Sequence, residues 1–154
     1  TSPKKVGSVA SKPVISSIVN WSNSNKAIRK ITENIIGVHV DAVVPKYHSK
    51  TLTKLFVEDK NLKEVIAFAL YFFSYSTWKG KCVYLEDLYV KESYRSEGIG
   101  QILFDAVVAV AREQKVARMD WQVLDWNMPA INFYKKNKAV LDPSWINGRL
   151  FFDL

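Results

Sequence analysis

The sequence predicts an α/β protein: a single mixed, mostly antiparallel sheet flanked by helices on both faces. Three observations predict it. Runs rich in β-branched and aromatic residues, Leu52–Glu58, Glu64–Tyr75 and Cys82–Val90, follow one another across short turns, which is the pattern of an antiparallel meander. The last run leads through a polar connection, Lys91–Glu97, into a glycine-bearing turn and a strongly periodic helix, Ile99–Gln114. A second strand and helix follow, so the meander passes into a βαβα pattern.

In chain order, Thr1–Ser17 is rich in Ser, Lys and Pro and reads as an extended arm, with a short strand near Val14–Val19. Ser22–Asn25 offers helix caps, and Ala27, Ile28, Ile31 and Ile35 recur at helical spacing, so a helix is expected over Asn25–Ile36, ended by Gly37. Val38–Val44 reads equally as a strand or a short helix, and Pro45–Ser49 as loop. Asp59-Lys60-Asn61 is a turn that makes Leu52–Glu58 and Glu64–Tyr75 a hairpin. Ser76–Lys81 connects to the third strand of the meander. On the long helix Ile99, Leu103, Ala106, Val107 and Val110 share one face. Met119, Trp121 and Val123 alternate with polar residues, which predicts a strand over Ala117–Leu124. Asn127 before Met128-Pro129 is a helix cap followed by an early-helix proline, for a helix reaching about Asn137. Asp142–Ser144 is a turn, and Arg149–Leu154 a final short strand.

A chain of 154 residues suits one domain over 1–154, with a basic arm at about residues 1–20. With 48% hydrophobic residues it is globular in composition, and its longest strongly apolar run, Val65–Phe73, is too short to cross a bilayer. No membrane partner is therefore expected. The chain begins at Thr1, which reads as a processed, trimmed or missing start. A lone cysteine, Cys82, forbids an internal disulfide and fits a reducing, cytoplasmic setting. His39 and His48 have no Cys or His cluster to join, so no metal is expected. The net charge of +7 is concentrated early: residues 1–60 hold ten Lys/Arg against four Asp/Glu. That excess would attract a polyanion, but no nucleic-acid module accompanies it.

The chemistry converges on Val83–Phe104. A strand, a glycine loop and a helix in that order turn a helix N-terminus outward, which is an anion site. Glycine at 98 and 100 lets a phosphate approach the backbone. The spacing is R-x-x-G-x-G, neither of the two commoner phosphate loops. In the strand, Glu86 and Asp87 are adjacent, so alternation gives one acid to each face. Asn127 and Tyr134 lie on the second helix, where each has an ordinary reading as cap and packed aromatic.

Together, LEDLYV, YRSEGIG, VLDWNMPAINFYKK and the upstream ALYFFSYSTWKGK resemble the GNAT superfamily of acetyl-CoA-dependent N-acetyltransferases, closest to the diamine group that includes spermidine/spermine and thialysine acetyltransferases. The resemblance covers Val65–Val140, and more loosely the SW…GRLFF ending. It implies that Arg95, Ser96, Glu97, Gly98, Ile99, Gly100 and Gln101 cradle the CoA pyrophosphate. Leu88, Tyr89 and Val90 would pair with the pantetheine arm, and Asn127 would hydrogen-bond the cofactor. Tyr134 would sit by the thioester sulfur and contact the cofactor there. Glu86 would face the amine, Asp87 would hold a cationic substrate, and Tyr75 and Trp78 would wall the amine site.

These roles make chemical sense. An alkylammonium has a pKa of about 10, so the free amine is scarce at neutral pH, and a carboxylate at Glu86 can take its proton, directly or through one water. The Tyr134 phenol, ordinarily about 10, can protonate a departing thiolate. A backbone N–H at a bulge in the Leu88–Val90 strand would stabilise the developing oxyanion. The expected function is therefore N-acetylation of a small diamine, polyamine or lysine-like amine by direct attack in a ternary complex. The alternatives are a protein lysine acetyltransferase and a non-catalytic acyl-CoA- or polyanion-binding module. Relatives that take long polyamines carry an acid after the tyrosine of the hairpin loop, where this chain has Ser76, so a shorter amine is at least as well supported. The resemblance also implies a homodimer. Two features depart from it: Thr1–Trp21 shows no Arg-bearing opening strand, and the expected Asn25–Ile36 helix is basic.

Overall fold

The structure is a computed structural model and describes residues 35–43, 52–59 and 61–152. Its chain falls into two compact units, Thr1–Trp121 and Gln122–Leu154. The expected arm and Val14–Val19 strand, the body of the Asn25–Ile36 helix and the Pro45–Ser49 loop lie outside the described residues.

In the first unit a five-stranded sheet is built from β1 (Ile35–Val43), β2 (Leu52–Asp59), β3 (Glu64–Ser76), β4 (Gly80–Val90) and β5 (Arg118–Asp120). The strands neighbour one another in chain order. β1 to β4 pair antiparallel and β5 pairs parallel to β4, so the sheet is mixed and mostly antiparallel, as expected. Turn chemistry sets the hairpins. Asp59 Oδ1 accepts the N–H groups of Asn61 and Leu62 at 2.8 and 2.9 Å. The Ser76 hydroxyl accepts those of Trp78 and Lys79 at 3.3 and 3.2 Å, and Gly80 then takes a left-handed φ of 83°. Such short polar side chains stand in for backbone acceptors in tight turns.

A 3-10 turn (Glu92–Tyr94) follows β4, and α1 spans Ile99–Glu113. The helical spacing places Ile99, Leu103, Ala106, Val107 and Val110 in the core, joined by Ile102, Phe104 and Ala111. Sheet residues Ala67, Ala69, Tyr71, Val83 and Leu85 are buried as well. A Cβ at Gly100 would meet Val90 Cγ2 at 3.5 Å, so the side of β4 that carries Val90 is turned to α1.

Two sequence expectations are corrected here, and one that was open is decided. Ile35 and Ile36 belong to β1, and Gly37 stands at a register shift inside that strand rather than at a helix end. Their apolar pattern fits either element, and pairing with β2 selects the strand. Val38–Val44, open between strand and helix, is strand as far as Val43. The predicted Ala117–Leu124 strand is only Arg118–Asp120. Its alternation continues to Val123, but pairing with β4 stops at Tyr84 opposite Asp120, and alternation without a partner does not make a strand.

The second unit holds α2 (Met128–Lys136). Asn127 caps it, its Oδ1 accepting from Ala130 N at 3.2 Å, with Pro129 in the first turn. Lys138 closes it in a left-handed conformation, and Ala139 N bonds back to Tyr134 O at 3.1 Å. The Asp142–Ser144 turn forms as expected, Ser144 N donating to Asp142 Oδ1 at 2.9 Å. The predicted Arg149–Leu154 strand is absent as far as residue 152: Leu150, Phe151 and Phe152 are exposed and unpaired with any strand among the described residues.

Candidate active site

The site is organised by β4, whose two halves are built differently. Up to Leu85 it pairs regularly with β3: Phe73 opposite Val83, Phe72 opposite Tyr84, Tyr71 opposite Leu85. The next pair is Leu70 with Asp87, so Glu86 has no partner on β3 and is the extra residue of a β-bulge. Pairing then resumes with Ala69–Leu88, Phe68–Tyr89 and Ala67–Val90.

The bulge decides where the acids point. Directly paired residues share a face. Val83, Leu85, Leu88 and Val90 therefore lie on the α1 side, opposite Phe73, Tyr71, Ala69 and Ala67. Glu86, following Leu85, and Asp87, opposite Leu70, both fall on the other face, and both are exposed. Strict alternation had given one acid to each face; the inserted residue overrides it. The bulge also lies before Leu88–Val90 rather than within it, and those three residues are regularly paired.

Aromatic pairs flank the two acids on their face. Phe68 stacks on Tyr89 and Phe72 lies against Tyr84, each with ring centroids 5.3 Å apart. A ring face attracts an alkylammonium. Of these four only Tyr89 was expected at the site, and then for its main chain. The signal was available in the period-two spacing of Phe68 and Phe72 around the paired acids.

On its other edge, β4 pairs with β5 only over Cys82, Val83 and Tyr84. Beyond Tyr84 no strand among the described residues covers that edge. Lys91 N donates to Ile66 O of β3 at 2.8 Å. Main-chain groups turn to opposite edges at successive residues, so those of Tyr89 face β3 while those of Leu88 and Val90 face the open edge. An extended ligand chain would find its pairing groups at Leu88 and Val90.

The open edge leads into the glycine loop. Arg95 Nε donates to Val90 O at 3.1 Å, which places the Arg95 side chain at the end of the strand. Ser96 and Gly98 take left-handed φ values of 64° and 87°, with Glu97 between them. Such alternation aims successive N–H groups into one concavity, a nest for anions. Gly98 caps α1 without a side-chain bond, and the first turn of α1 has no acid. The first helical bond runs from Ile102 N to Gly98 O at 3.1 Å, so the amides before it point out of the helix end. A Cβ at Gly100 would make only ordinary contact with Val90, so packing does not require glycine there. Gln101, in the first turn, bonds through Nε2 to Asp105 at 2.9 Å.

The remaining candidates are placed as follows. Tyr75 and Trp78 lie at the β3–β4 hairpin, 79% and 90% exposed. Tyr75 is opposite Lys81, five residues before Glu86, or about 17 Å along the strand, so within this chain they do not wall the acids. In the second unit Asn127 spends Oδ1 on its cap, and its amide N–H donors have no partner among the described residues. Tyr134 is buried, with its ring edge-on to Phe133, and burial raises its phenol above the ordinary value.

Comparison with known proteins gives consistent results. Residues 26–138 match the acetyltransferase (GNAT) family. The chain is similar to a thialysine N-epsilon-acetyltransferase of Bos taurus, 48% identical over 71 residues, covering 46% of this chain and 42% of that protein. It is also similar to an L-ornithine N5-acetyltransferase of Arabidopsis thaliana, 39% identical over 100 residues, covering 64% of this chain and 44% of that protein. These matches span less than half the length of either relative. Among solved structures, an integron cassette protein from V. cholerae superposes with a TM-score of 0.62 at 21% identity, over 92% of this chain and 83% of that one. That likeness concerns the fold.

Proposed function

The chain belongs to the acetyltransferase (GNAT) family, and from that premise we propose that it acetylates a primary amine of a small diamine, polyamine or lysine-like compound, using acetyl-CoA in a ternary complex. The observation that carries this reading is the second half of β4. Over Glu86–Val90 a bulged acid, a second acid and an open main-chain edge run directly into an anion-binding loop. That order suits a long ligand with a phosphate at one end and a reacting centre at the other, about 13 Å along the strand. The names of the relatives, thialysine and L-ornithine acetyltransferases, support the amine class.

The residues present fit acetyl-CoA. The nest at Ser96–Gly98, the uncapped start of α1 and the space at Gly100 suit a pyrophosphate. When bound, acetyl-CoA supplies the thioester carbonyl that the amine attacks. Leu88 and Val90 hold the extended arm through main-chain groups. Glu86 takes the proton of the ammonium, and Asp87 with the flanking rings holds the substrate's positive charge. Asn127 donates through its amide, a role taken from the resemblance. Tyr134 is assigned on the same ground as the acid that returns a proton to the departing sulfur. Its burial favours the protonated phenol that this role needs. No covalent enzyme intermediate is required, because proximity supplies much of the rate. A homodimer and a cytoplasmic setting belong to the same reading.

The test is release of the CoA thiol from acetyl-CoA with putrescine, spermidine, spermine, agmatine, lysine, ornithine, thialysine and a Lys-containing peptide. Turnover on one small amine is expected. Turnover on the peptide alone would replace this reading with a protein lysine acetyltransferase, and CoA binding without turnover would replace it with a binding module.

A further inference from the structure

Two side chains just before the glycine loop reach away from it, one to the start of β3 and one past it to the end of β2. Lys91, the first residue after β4, pairs through Nζ with Glu64 Oε1 at 2.7 Å, at the first residue of β3. Tyr94, at the end of the 3-10 turn, goes further: its hydroxyl donates to Asp59 Oδ2 at 3.1 Å, at the last residue of β2. The chain after β4 is thus folded over the end of β3 and fastened to the strand beyond it. The receiving carboxylate is fixed before Tyr94 meets it. Its other oxygen holds the N–H groups of Asn61 and Leu62, and those two bonds keep Asp59 ionised below the usual carboxylate range. The turn is closed by Tyr94 N to Lys91 O at 2.9 Å and Arg95 N to Glu92 O at 3.1 Å.

Two residues after Tyr94 comes Ser96, a non-glycine residue in the left-handed region. That conformation is unfavourable for an isolated serine, so the nest needs its two ends held. Helix α1 holds one end. We propose that Tyr94 and Lys91, through Asp59 and Glu64, hold the other, and are positioning residues that keep the anion loop in its binding shape before any ligand arrives. This rests on the acetyl-CoA reading above. A loop already in shape loses less entropy on binding. The Lys91–Glu64 ion pair is exposed and adds little to global stability, and the part-buried Tyr94–Asp59 bond is a single contact outside the core, so their effect is expected at the loop rather than on the unfolding midpoint.

The test uses the full chain with Tyr94→Phe, Lys91→Gln, and the charge swap Lys91→Glu with Glu64→Lys. Two readouts need no turnover: calorimetric titration with CoA, and the rate of tryptic cleavage after Arg95. Tyr94→Phe and Lys91→Gln are expected to weaken CoA binding about three- to tenfold. Tyr94→Phe should also speed cleavage at Arg95 while leaving the thermal midpoint in place, and the charge swap should recover affinity lost in Lys91→Gln. Unchanged affinity and unchanged cleavage in Tyr94→Phe would overturn the positioning role. So would a midpoint that falls in step with affinity, since that marks a general structural contact. If the wild-type chain bound no CoA, the acetyl-CoA reading would fall, and ligand-free cleavage at Arg95 would alone decide whether the tether orders the loop.

Discussion

The two halves of β4 share a strand and little else. From Cys82 to Leu85 the strand is central: β3 lies on one side, β5 accompanies it on the other as far as Tyr84, and Cys82, Val83 and Leu85 are at most 2% exposed. From Glu86 to Val90 it keeps β3 but loses β5, and its acids stand exposed. The first half is fixed by packing, so its chemistry is limited to apolar contact. The second has polar side chains and an open edge, which a globular core cannot use and a ligand can. A single strand thus carries both the anchor and the proposed reactive surface, and the rigidity of one half positions the other.

Substitutions on either side of the bulge should separate these roles. The largest effect is expected from Glu86→Gln, which keeps the shape and removes the proposed base. A general base contributes about 10²- to 10⁴-fold, so kcat should fall by that order with an unchanged melting midpoint. Full activity across the pH range would remove Glu86 from the mechanism. One residue earlier, Leu85→Ala should do the reverse. Truncating a buried leucine costs about 2–5 kcal/mol, read as a lower urea midpoint, while the surviving folded fraction keeps its affinity for CoA. Gly100→Ala sharpens the contrast at the loop. Its Cβ has room against Val90, and alanine in place of a helical glycine contributes up to about 1 kcal/mol, so the variant should be at least as stable as wild type. It should nonetheless bind CoA more weakly, because the methyl group takes the phosphate's approach. Equal affinity would mean that the glycine is not there for the ligand.

The smallest effect concerns pH. Burial raises the phenols of Tyr71, which is opposite Leu85 in the packed half, and of Tyr134. Above pH of about 10 the unfolded chain gives up these protons before the folded one does. The native state then holds more protons, so stability should fall as pH rises through that region. Urea midpoints from pH 8 to 11 would show it, and Tyr71→Phe should lessen the slope.

Legibility in the sequence followed the range of the interaction. The α1 core came directly from helical spacing, because Ile99, Leu103, Ala106, Val107 and Val110 announce their face locally. The turns at Asp59 and Ser76 and the cap at Asn127 were equally local, each depending on a side chain and amides two or three residues away. What failed depended on partners. Val123 alternates as well as Met119 does, yet only the residues opposite Cys82–Tyr84 became strand. Arg149–Phe152 has strand-forming residues and pairs with no strand among the described residues. At the candidate site, the acids and the glycine loop were visible in the sequence. The bulge that puts both acids on one face was not, since it is a property of the pairing with Leu70 and Tyr71. The Tyr94–Asp59 contact joins residues 35 positions apart, and nothing local marks it.

The unpaired position of Glu86 has a consequence for how such a site can arise or vanish. Leu85 already faces Tyr71 and Asp87 already faces Leu70, so if residue 86 were cut out, the neighbours on either side would meet across an uninterrupted ladder. No cross-strand partner would change and no core residue would turn outward. The proposed base is therefore an insertion on a sheet that is complete without it. Scaffold and reactivity can be separated there by a one-residue deletion, a cut that would be far more disruptive at Val83 or Leu85.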